Sequence, residues 1–189
     1  VIIRSHGVGR EVYARLEARG AEIVDATCPF VKRIHGLVSR AEEEGRLPII
    51  NGTPTHPEVE GIRGWCSESV VIDGEQAAQT FADALEPASR PVSLVAQTTV
   101  NRAIWNISVS ILKKRCTNLK ISDTICTATS ARQQEAEKLA SECDAMVVIG
   151  GKHSANSLHL AQICSEHCGW VQFIEKCDEL DMDKVTDAD

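Results

Sequence analysis

Short apolar runs alternate with amphipathic segments along the whole chain. The clearest helical pattern begins at Pro29 and ends near Glu44, just before Gly45, with apolar residues three and four positions apart. Its predicted buried face consists of Phe30, Ile34, Val38 and Ala41. Because strand-like and helix-like segments alternate throughout, the pattern predicts an α/β fold with mostly parallel sheets.

The same pattern predicts eight strands and at least seven helices. The strands are expected at 1–5, 21–26, 47–51, 69–73, 91–96, 119–122, 145–149 and 170–174. The helices are expected at 10–19, 29–44, from 57 onward, 74–84, 100–115, 128–142 and up to 168. The predicted buried residues of three of these helices are Val12 and Leu16; Ile104, Ile107 and Ile111; and Ala136, Leu139, Ala140 and Cys143.

Polar and sulfur-bearing residues lie at the turns that lead from a strand into a helix. Ligands of parallel α/β proteins bind beyond the carboxyl ends of the strands, and helix N-termini favour anions. Each residue alone has a simpler explanation, as a helix cap or a core cysteine. Their recurrence at one kind of turn favours a shared site for an anionic ligand. The residues are His6, Cys28, His56, Glu58, Thr98, Cys126, Ser154, Ala155 and Asn156.

The segment Pro54–Gly61 carries the clearest candidate chemistry. It follows an apolar run, and Pro57 suits the first position of a helix. His56 and Glu58 then lie in the first turn, where an imidazole and a carboxylate form a candidate proton-handling pair. A histidine turn with a solvated glutamate is the simpler alternative.

Composition narrows the possible partners. The 189 residues carry a formal net charge of −7, which argues against a general nucleic-acid surface. No apolar stretch approaches the roughly 20 residues of a membrane span, and no signal peptide is visible. A cytoplasmic protein without a membrane or nucleic-acid partner is therefore expected. The chain lacks an initiator methionine and closes in a polar tail, so a fragment truncated at both ends is expected.

Eight cysteines are present, and none forms a Cys-x-x-Cys pair. Cys28 and Cys126 stand 98 positions apart, so they can share a metal only if separate strand–helix units converge. Thiolates suit an iron–sulfur centre, and three cysteine ligands would leave one iron open for substrate. The other cysteines are interpreted as core or incidental residues: Cys66, Cys116, Cys143, Cys164, Cys168 and Cys177.

Taken together, the turn motifs resemble those of the 4-hydroxy-3-methylbut-2-enyl diphosphate reductase family. In order, they are Ser5-His6-Gly7-Val8, Asp25-Ala26-Thr27-Cys28-Pro29, His56-Pro57-Glu58-Val59-Glu60-Gly61, Gln97-Thr98-Thr99, Asp123-Thr124-Ile125-Cys126 and Ser154-Ala155-Asn156-Ser157. The resemblance covers nearly the whole chain. It implies tandem three-layer α/β units around a central cavity, with residues 1–27 closing the first unit, 28–122 forming the second and 123–189 beginning the third.

The resemblance also implies an activity and its cofactor. The family removes the allylic hydroxyl of its substrate with two electrons and protons, and forms isopentenyl and dimethylallyl diphosphates. A 4Fe-4S cluster serves as the cofactor, and reduced ferredoxin or flavodoxin would serve as the electron donor.

By position, the resemblance gives each turn a role. Cys28 and Cys126 match cluster ligands, and Glu58 matches the acid that delivers protons, assisted by Thr98 and His56. The diphosphate-binding positions are His6, His56, Thr98, Ser154, Ala155 and Asn156. Ala155 stands where many members have a second serine, so one hydroxyl is missing there.

Other family positions fall outside the chain. The first cluster cysteine and another histidine of the family precede Val1, and a serine follows Asp189. We therefore expect residues 1–189 alone to be inactive.

Two other classes of function remain open. A non-catalytic iron–sulfur or metal-binding sensor could use the same cysteines and would not need Glu58. A plain α/β ligand-binding module without metal would be colourless after anaerobic purification.

Overall fold

The protein divides into two compact units, Val1–Ile125 and Cys126–Asp189. The computed structural model describes residues 1–85 and 90–186, so the last three residues of the polar tail lie outside the described part. Every pairing between described strands is parallel, which confirms the predicted α/β class. The three-part division at residues 27 and 122, and the arrangement around a central cavity, stay predictions.

The first unit contains six strands and five helices in its described part. In chain order they are β1 (Ile2–Ile3), α1 (Arg10–Glu17), β2 (Val24–Asp25), α2 (Pro29–Glu43), β3 (Leu47–Asn51), α3 (Pro57–Arg63), β4 (Val70–Ile72), α4 (Glu75–Ala84), β5 (Val92–Ala96), α5 (Arg102–Arg115) and β6 (Leu119–Ser122). Strands β1 and β2 form a two-stranded sheet.

The other four strands form a sheet in the order β4-β3-β5-β6. From β3 the chain moves outward to β4, and then returns to the opposite side of β3 to form β5. The strand order therefore reverses between β3 and β5, and at such a switch point the turns after the two strands diverge and leave a crevice. The polar turns Gly52–His56 and Gln97–Thr99 flank this crevice.

Both faces of this sheet are covered, so β3 and β5 are apolar at almost every position. Ile50 and Val95 are paired in register and pack on one face with residues of α2 and α3. Ile49 and Leu94 are paired on the other face and pack with residues of α4 and α5. All four side chains are at most 1% exposed. Burying each of them contributes roughly 1.5–3 kcal/mol, so the edge that carries the two polar turns is rigidly supported.

The predicted buried faces of four helices, α1, α2, α5 and α6, need correction. In α5, Ile107 is 39% exposed, and Ile104 and Ile111 are only partly buried. The buried residues of α5 are Trp105, Ser108 and Leu112, one position further along the helix.

Apolar residues of the other three helices are also more exposed than predicted. Phe30 is 41% exposed, whereas Val31 and His35 are buried in α2. Leu139 is also 41% exposed and Cys143 is exposed, although Ala140 is buried as predicted. On α1, Val12 and Leu16 are only partly buried.

The second unit is a smaller α/β arrangement. Its elements are α6 (Thr127–Glu142), β7 (Ala145–Ile149), α7 (Ala155–His167), β8 (Trp170–Ile174), a 3-10 helix (Cys177–Glu179) and α8 (Met182–Thr186). Strands β7 and β8 pair in parallel, and a core forms around Ala140, Val148, Cys164 and Cys168. Within the described residues of both units, no helix has the length and apolar character needed to cross a bilayer.

Candidate functional site

The turn after β3 leads into α3 with the predicted geometry. Pro57 occupies the first helical position and His56 is the N-cap residue, with an extended backbone. The Nδ1 atom of His56 accepts a hydrogen bond of 3.2 Å from the backbone N–H of Glu58. This bond satisfies one of the free donors at the helix start, and it fixes the imidazole next to the glutamate.

Glu58 is a buried carboxyl group at the switch point, only 2% exposed. Its Oε1 atom accepts the backbone N–H of Thr98 at 2.7 Å, and its Oε2 atom accepts the Thr98 hydroxyl at 2.7 Å. Burial raises the pKa of Glu58, although the bonds from Thr98 and the nearby His6 oppose the rise. A carboxyl group held between these opposing effects is suited to carry and release a proton.

The turn after β5 is fixed by Gln97, which is 1% exposed. Its backbone N–H donates to Asn51 and its Oε1 atom accepts the backbone N–H of Thr53. A Cβ atom at Gly52 would lie 2.8 Å from Gln97 Oε1, so only glycine permits this approach. Gln97 therefore joins the two turns and sets the position of Thr98.

His6 belongs to the same group of residues. Its ring centroid lies 5.4 Å from that of His56, with the rings at 71°. Its Nδ1 atom is buried and has no hydrogen-bond partner in the described structure. A cleft of about 280 Å³ is lined by His6, Pro57 and Gly61 among others. A residue that lines a cleft and carries a polar atom without a partner is a candidate for ligand binding.

Cys28 is the N-cap residue of α2, as predicted, and Pro29 follows it. Its backbone N–H donates to the carbonyl oxygen of Ser5 at 3.0 Å, so the turn that carries His6 is bonded directly to Cys28. The thiol is partly buried and makes no capping hydrogen bond. It is therefore available as a metal ligand at a helix N-terminus.

The second unit carries the remaining predicted site residues. Cys126 is the N-cap residue of α6 and also makes no capping bond with its side chain. Ser154 caps α7 by accepting the N–H of Ser157 at 3.3 Å. Ala155 begins α7, and the Oδ1 atom of Asn156 is buried without a partner in the described structure.

The first unit thus brings His6, His56, Glu58 and Thr98 together, with Cys28 bonded to the same turn. The proximity of Cys126 and of residues 154–156 to this group stays a prediction. Across the described ranges 1–85 and 90–186, no three His, Cys, Asp or Glu residues are grouped to hold a metal ion. The cysteines suit iron by their chemistry, but they do not complete a ligand set there.

Two buried polar residues near this group were not predicted from the sequence. His35 is 3% exposed and stacks on Trp65, with ring centroids 4.8 Å apart. The hydroxyl of Thr124 accepts the N–H of Ala96 and donates to its carbonyl oxygen, which fixes the end of β5. The sequence signal for His35 is a polar residue within an otherwise apolar helix face. Thr124 stands in the motif Asp123-Thr124-Ile125-Cys126, where it was given no role of its own.

The fold and site together define a parallel α/β protein with a polar, anion-suited site at a topological switch point. A family profile described as "LytB protein" matches residues 1–189. The chain belongs to this family.

Named relatives support this assignment. A 4-hydroxy-3-methylbut-2-enyl diphosphate reductase of Clostridioides difficile is 41% identical over 185 residues, covering 98% of this chain and 65% of that protein. The protein of the same name from Caldanaerobacter subterraneus is 36% identical over 190 residues, covering 100% of this chain and 64% of that protein. The chain therefore spans slightly less than two thirds of the length of these relatives.

Solved structures agree with the fold. The E-1-hydroxy-2-methyl-but-2-enyl-4-diphosphate reductase of Plasmodium falciparum superposes with a TM-score of 0.90 at 23% identity, over 99% of this chain and 59% of that one. A second solved structure, named as (E)-4-hydroxy-3-methyl-but-2-enyl diphosphate reductase, gives a TM-score of 0.64 at 34% identity, over 100% of this chain and 66% of that one.

Proposed function

We propose that the complete protein containing this chain reduces 4-hydroxy-3-methylbut-2-enyl diphosphate to isopentenyl and dimethylallyl diphosphates. The observation that carries the proposal is the buried Glu58 carboxyl group, held by Thr98 and next to the two histidines. The relatives with that name supply the substrate class. In the reaction the C–O bond to the allylic hydroxyl breaks, two electrons and two protons are consumed, and water leaves.

Glu58 would supply a proton in this reaction. Burial raises the pKa of its carboxyl group, so the protonated form persists to higher pH than for an exposed glutamate. The Thr98 hydroxyl, bonded to Oε2, lies where it could pass a proton between Glu58 and a substrate hydroxyl. His56 would orient the start of α3 and so the carboxyl group.

The diphosphate would be bound by polar groups at several helix starts. His6 offers a buried nitrogen that has no partner in the described structure, and His56 lies beside it. Ser154, Asn156 and the first turn of α7 would provide hydroxyl, amide and N–H groups, which suit phosphate oxygens. Ala155 contributes only its backbone N–H, so one side-chain hydrogen bond is absent.

Cys28 and Cys126 would hold a 4Fe-4S cluster, with a third ligand from the remainder of the longer protein. Both are free cysteines at helix N-termini, where the partial positive charge favours thiolates. When bound, the cluster would supply electrons and a Lewis-acidic iron to the C–O bond. Reduced ferredoxin or flavodoxin would be the electron donor, and the protein is expected to be cytoplasmic.

Glu58→Gln in the complete protein tests the proposal. The amide cannot donate a carboxyl proton, so turnover should fall by at least about a hundredfold while the cluster absorbance stays unchanged. Glu75→Gln is the matched control, since Glu75 is an exposed glutamate in the first turn of α4. Unchanged turnover in Glu58→Gln protein would contradict the proposal.

The metal-binding sensor is the second candidate. Its support is that Cys28 and Cys126 occupy equivalent N-cap positions. A sensor would keep its cluster in Glu58→Gln protein and would show no turnover even before the substitution. A protein that is colourless after anaerobic purification would instead indicate the metal-free binding module.

A further inference from the structure

We propose that His35 is a positioning residue, whose ring packs against Gly7 and holds the turn that presents His6 to the diphosphate. The link to the diphosphate rests on the proposed function, whereas the packing of the turn does not. His35 acts through Gly7 and His6 and is not assigned a contact with the reacting atoms.

The contact between His35 and Gly7 leaves no room for a side chain. Gly7 has a φ of +69°, a conformation that favours glycine. A Cβ atom at Gly7 would lie 2.6 Å from His35 Cε1 and 3.0 Å from Thr27 Cγ2. The imidazole therefore lies directly against the Gly7 backbone and limits where the turn can move.

Trp65 holds the ring of His35 and the same turn together. The Trp65 and His35 rings stack with an interplanar angle of 15°. The indole Nε1–H of Trp65 also donates to the carbonyl oxygen of Val8 at 2.9 Å, one residue after Gly7. Arg10 lies over the indole, 5.2 Å from its centroid. Each of these three groups therefore contacts the other two: the His35 ring, the Trp65 ring and the Gly7–Val8 backbone.

The position of His35 on α2 connects this set to the candidate site. His35 follows Cys28, the N-cap residue of α2, by seven residues, which is about two helical turns. The start of α2 is bonded to the turn through Cys28 and Ser5. Residues 5–8 are therefore held at one end by Cys28 and along their length by His35 and Trp65.

His35 contributes shape rather than charge. Burial lowers the pKa of His35 to about 4, with Asp25 opposing and Lys32 adding to the shift, so the ring is neutral near pH 7. Its Nε2 atom is buried and has no hydrogen-bond partner in the described structure. A phenyl ring should therefore replace the imidazole without losing a bond at that atom.

The test compares His35→Ala with His35→Phe in the complete protein. We expect His35→Ala to weaken the binding of inorganic diphosphate about tenfold by calorimetry and to raise KM for substrate similarly, with kcat within about twofold. His35→Phe should bind diphosphate within about threefold of the wild type. The NMR resonances of the His6 imidazole should shift in His35→Ala protein and stay near the wild-type positions in His35→Phe protein.

Glycine variants provide an independent measurement. Gly7→Ala introduces both backbone strain and the collision with His35. Gly20→Ala and Gly45→Ala introduce strain at nearly the same φ with nothing within 4 Å. Gly7→Ala should therefore lower the melting temperature more than either control, and the extra loss should shrink in the Gly7→Ala/His35→Ala double variant.

The outcomes separate the two proposals. Wild-type diphosphate binding and unshifted His6 resonances in His35→Ala protein would overturn the positioning role, as would His35→Phe behaving like His35→Ala. If the wild-type protein does not reduce the substrate, the proposed function fails, and the His6 resonances still decide the positioning role. If His35→Ala does not fold, the comparison of Gly7→Ala with Gly20→Ala decides it.

Discussion

Glu58 is a buried carboxyl group whose pKa is set by two opposing effects. Its two oxygens accept hydrogen bonds from Thr98, which stabilise the ionised form, while burial favours the neutral form. Burial is the larger effect, so the pKa of Glu58 lies above its ordinary value of 4.5.

This shift predicts a pH dependence of stability. The folded protein binds the Glu58 proton more tightly than the unfolded chain, so folding stability is lost as pH rises from 4.5 through the raised pKa. Glu58→Gln removes this loss because an amide does not ionise. In urea denaturation, the stability of the variant relative to the wild type should rise with pH and then level off.

The exposed Glu75→Gln variant controls for the removal of a carboxylate and should follow the wild type. The raised pKa would be contradicted if the free energy of unfolding of Glu58→Gln minus that of the wild type stayed constant across this pH range. It would also be contradicted if this difference fell as the pH rose.

The contacts of some single residues could be predicted from the sequence, and those of others could not. The proximity of His56 and Glu58 was predictable because Pro57 fixes a local helix start. Local spacing could not predict the partner of Glu58, because Thr98 lies 40 positions away and is brought close by the pairing of β3 with β5. Only the family resemblance associated Thr98 with Glu58. The packing role of His35 was not predicted for the same reason. Its ring stacks on Trp65, which follows the end of α3 and is distant from His35 in the sequence.

Helix α5 shows the same limit at the scale of an element. Its boundaries were predicted to within two residues, but its buried face was wrong. Apolar residues occupy two neighbouring stripes of this helix, and local spacing does not say which one meets the sheet. Buried Ser108 looks unfavourable until its partner is known, since its hydroxyl accepts the Asn51 side-chain N–H at 2.7 Å.

The corrected face predicts unequal effects of two truncations. Leu112 is fully buried, so Leu112→Ala should lower the free energy of unfolding by about 2–5 kcal/mol. Ile107 is 39% exposed, and Ile107→Ala should change it by less than about 1 kcal/mol. Chemical denaturation of both variants measures the difference. Equal losses would favour the face first predicted from the sequence.

At the scale of the whole molecule, the alternation of strands and helices was sufficient to predict the parallel α/β class. The reversal of strand order between β3 and β5 was not predictable, because it depends on which side of β3 each later strand joins. That reversal places the turns carrying Glu58 and Thr98 beside each other. The sequence predicted which turns are candidates for the chemistry, and the strand order brings the turns after β3 and β5 together.

The ligand set predicts how the isolated chain should behave. Of the cluster cysteines that the family resemblance implies, residues 1–189 contain two, Cys28 and Cys126. Anaerobic reconstitution of this chain with iron and sulfide should therefore give neither a stable 4Fe-4S cluster nor turnover. A stable, active cluster on this chain alone would contradict the expected need for a third ligand.

The most direct measurement is the iron content and visible absorbance of the complete protein after anaerobic reconstitution, with single cysteines replaced. We expect Cys28→Ser and Cys126→Ser each to lose most of the cluster and the turnover, while the matched control Cys116→Ser keeps both. A full cluster in either Cys28→Ser or Cys126→Ser protein would contradict the claim that these two distant thiols ligate one centre.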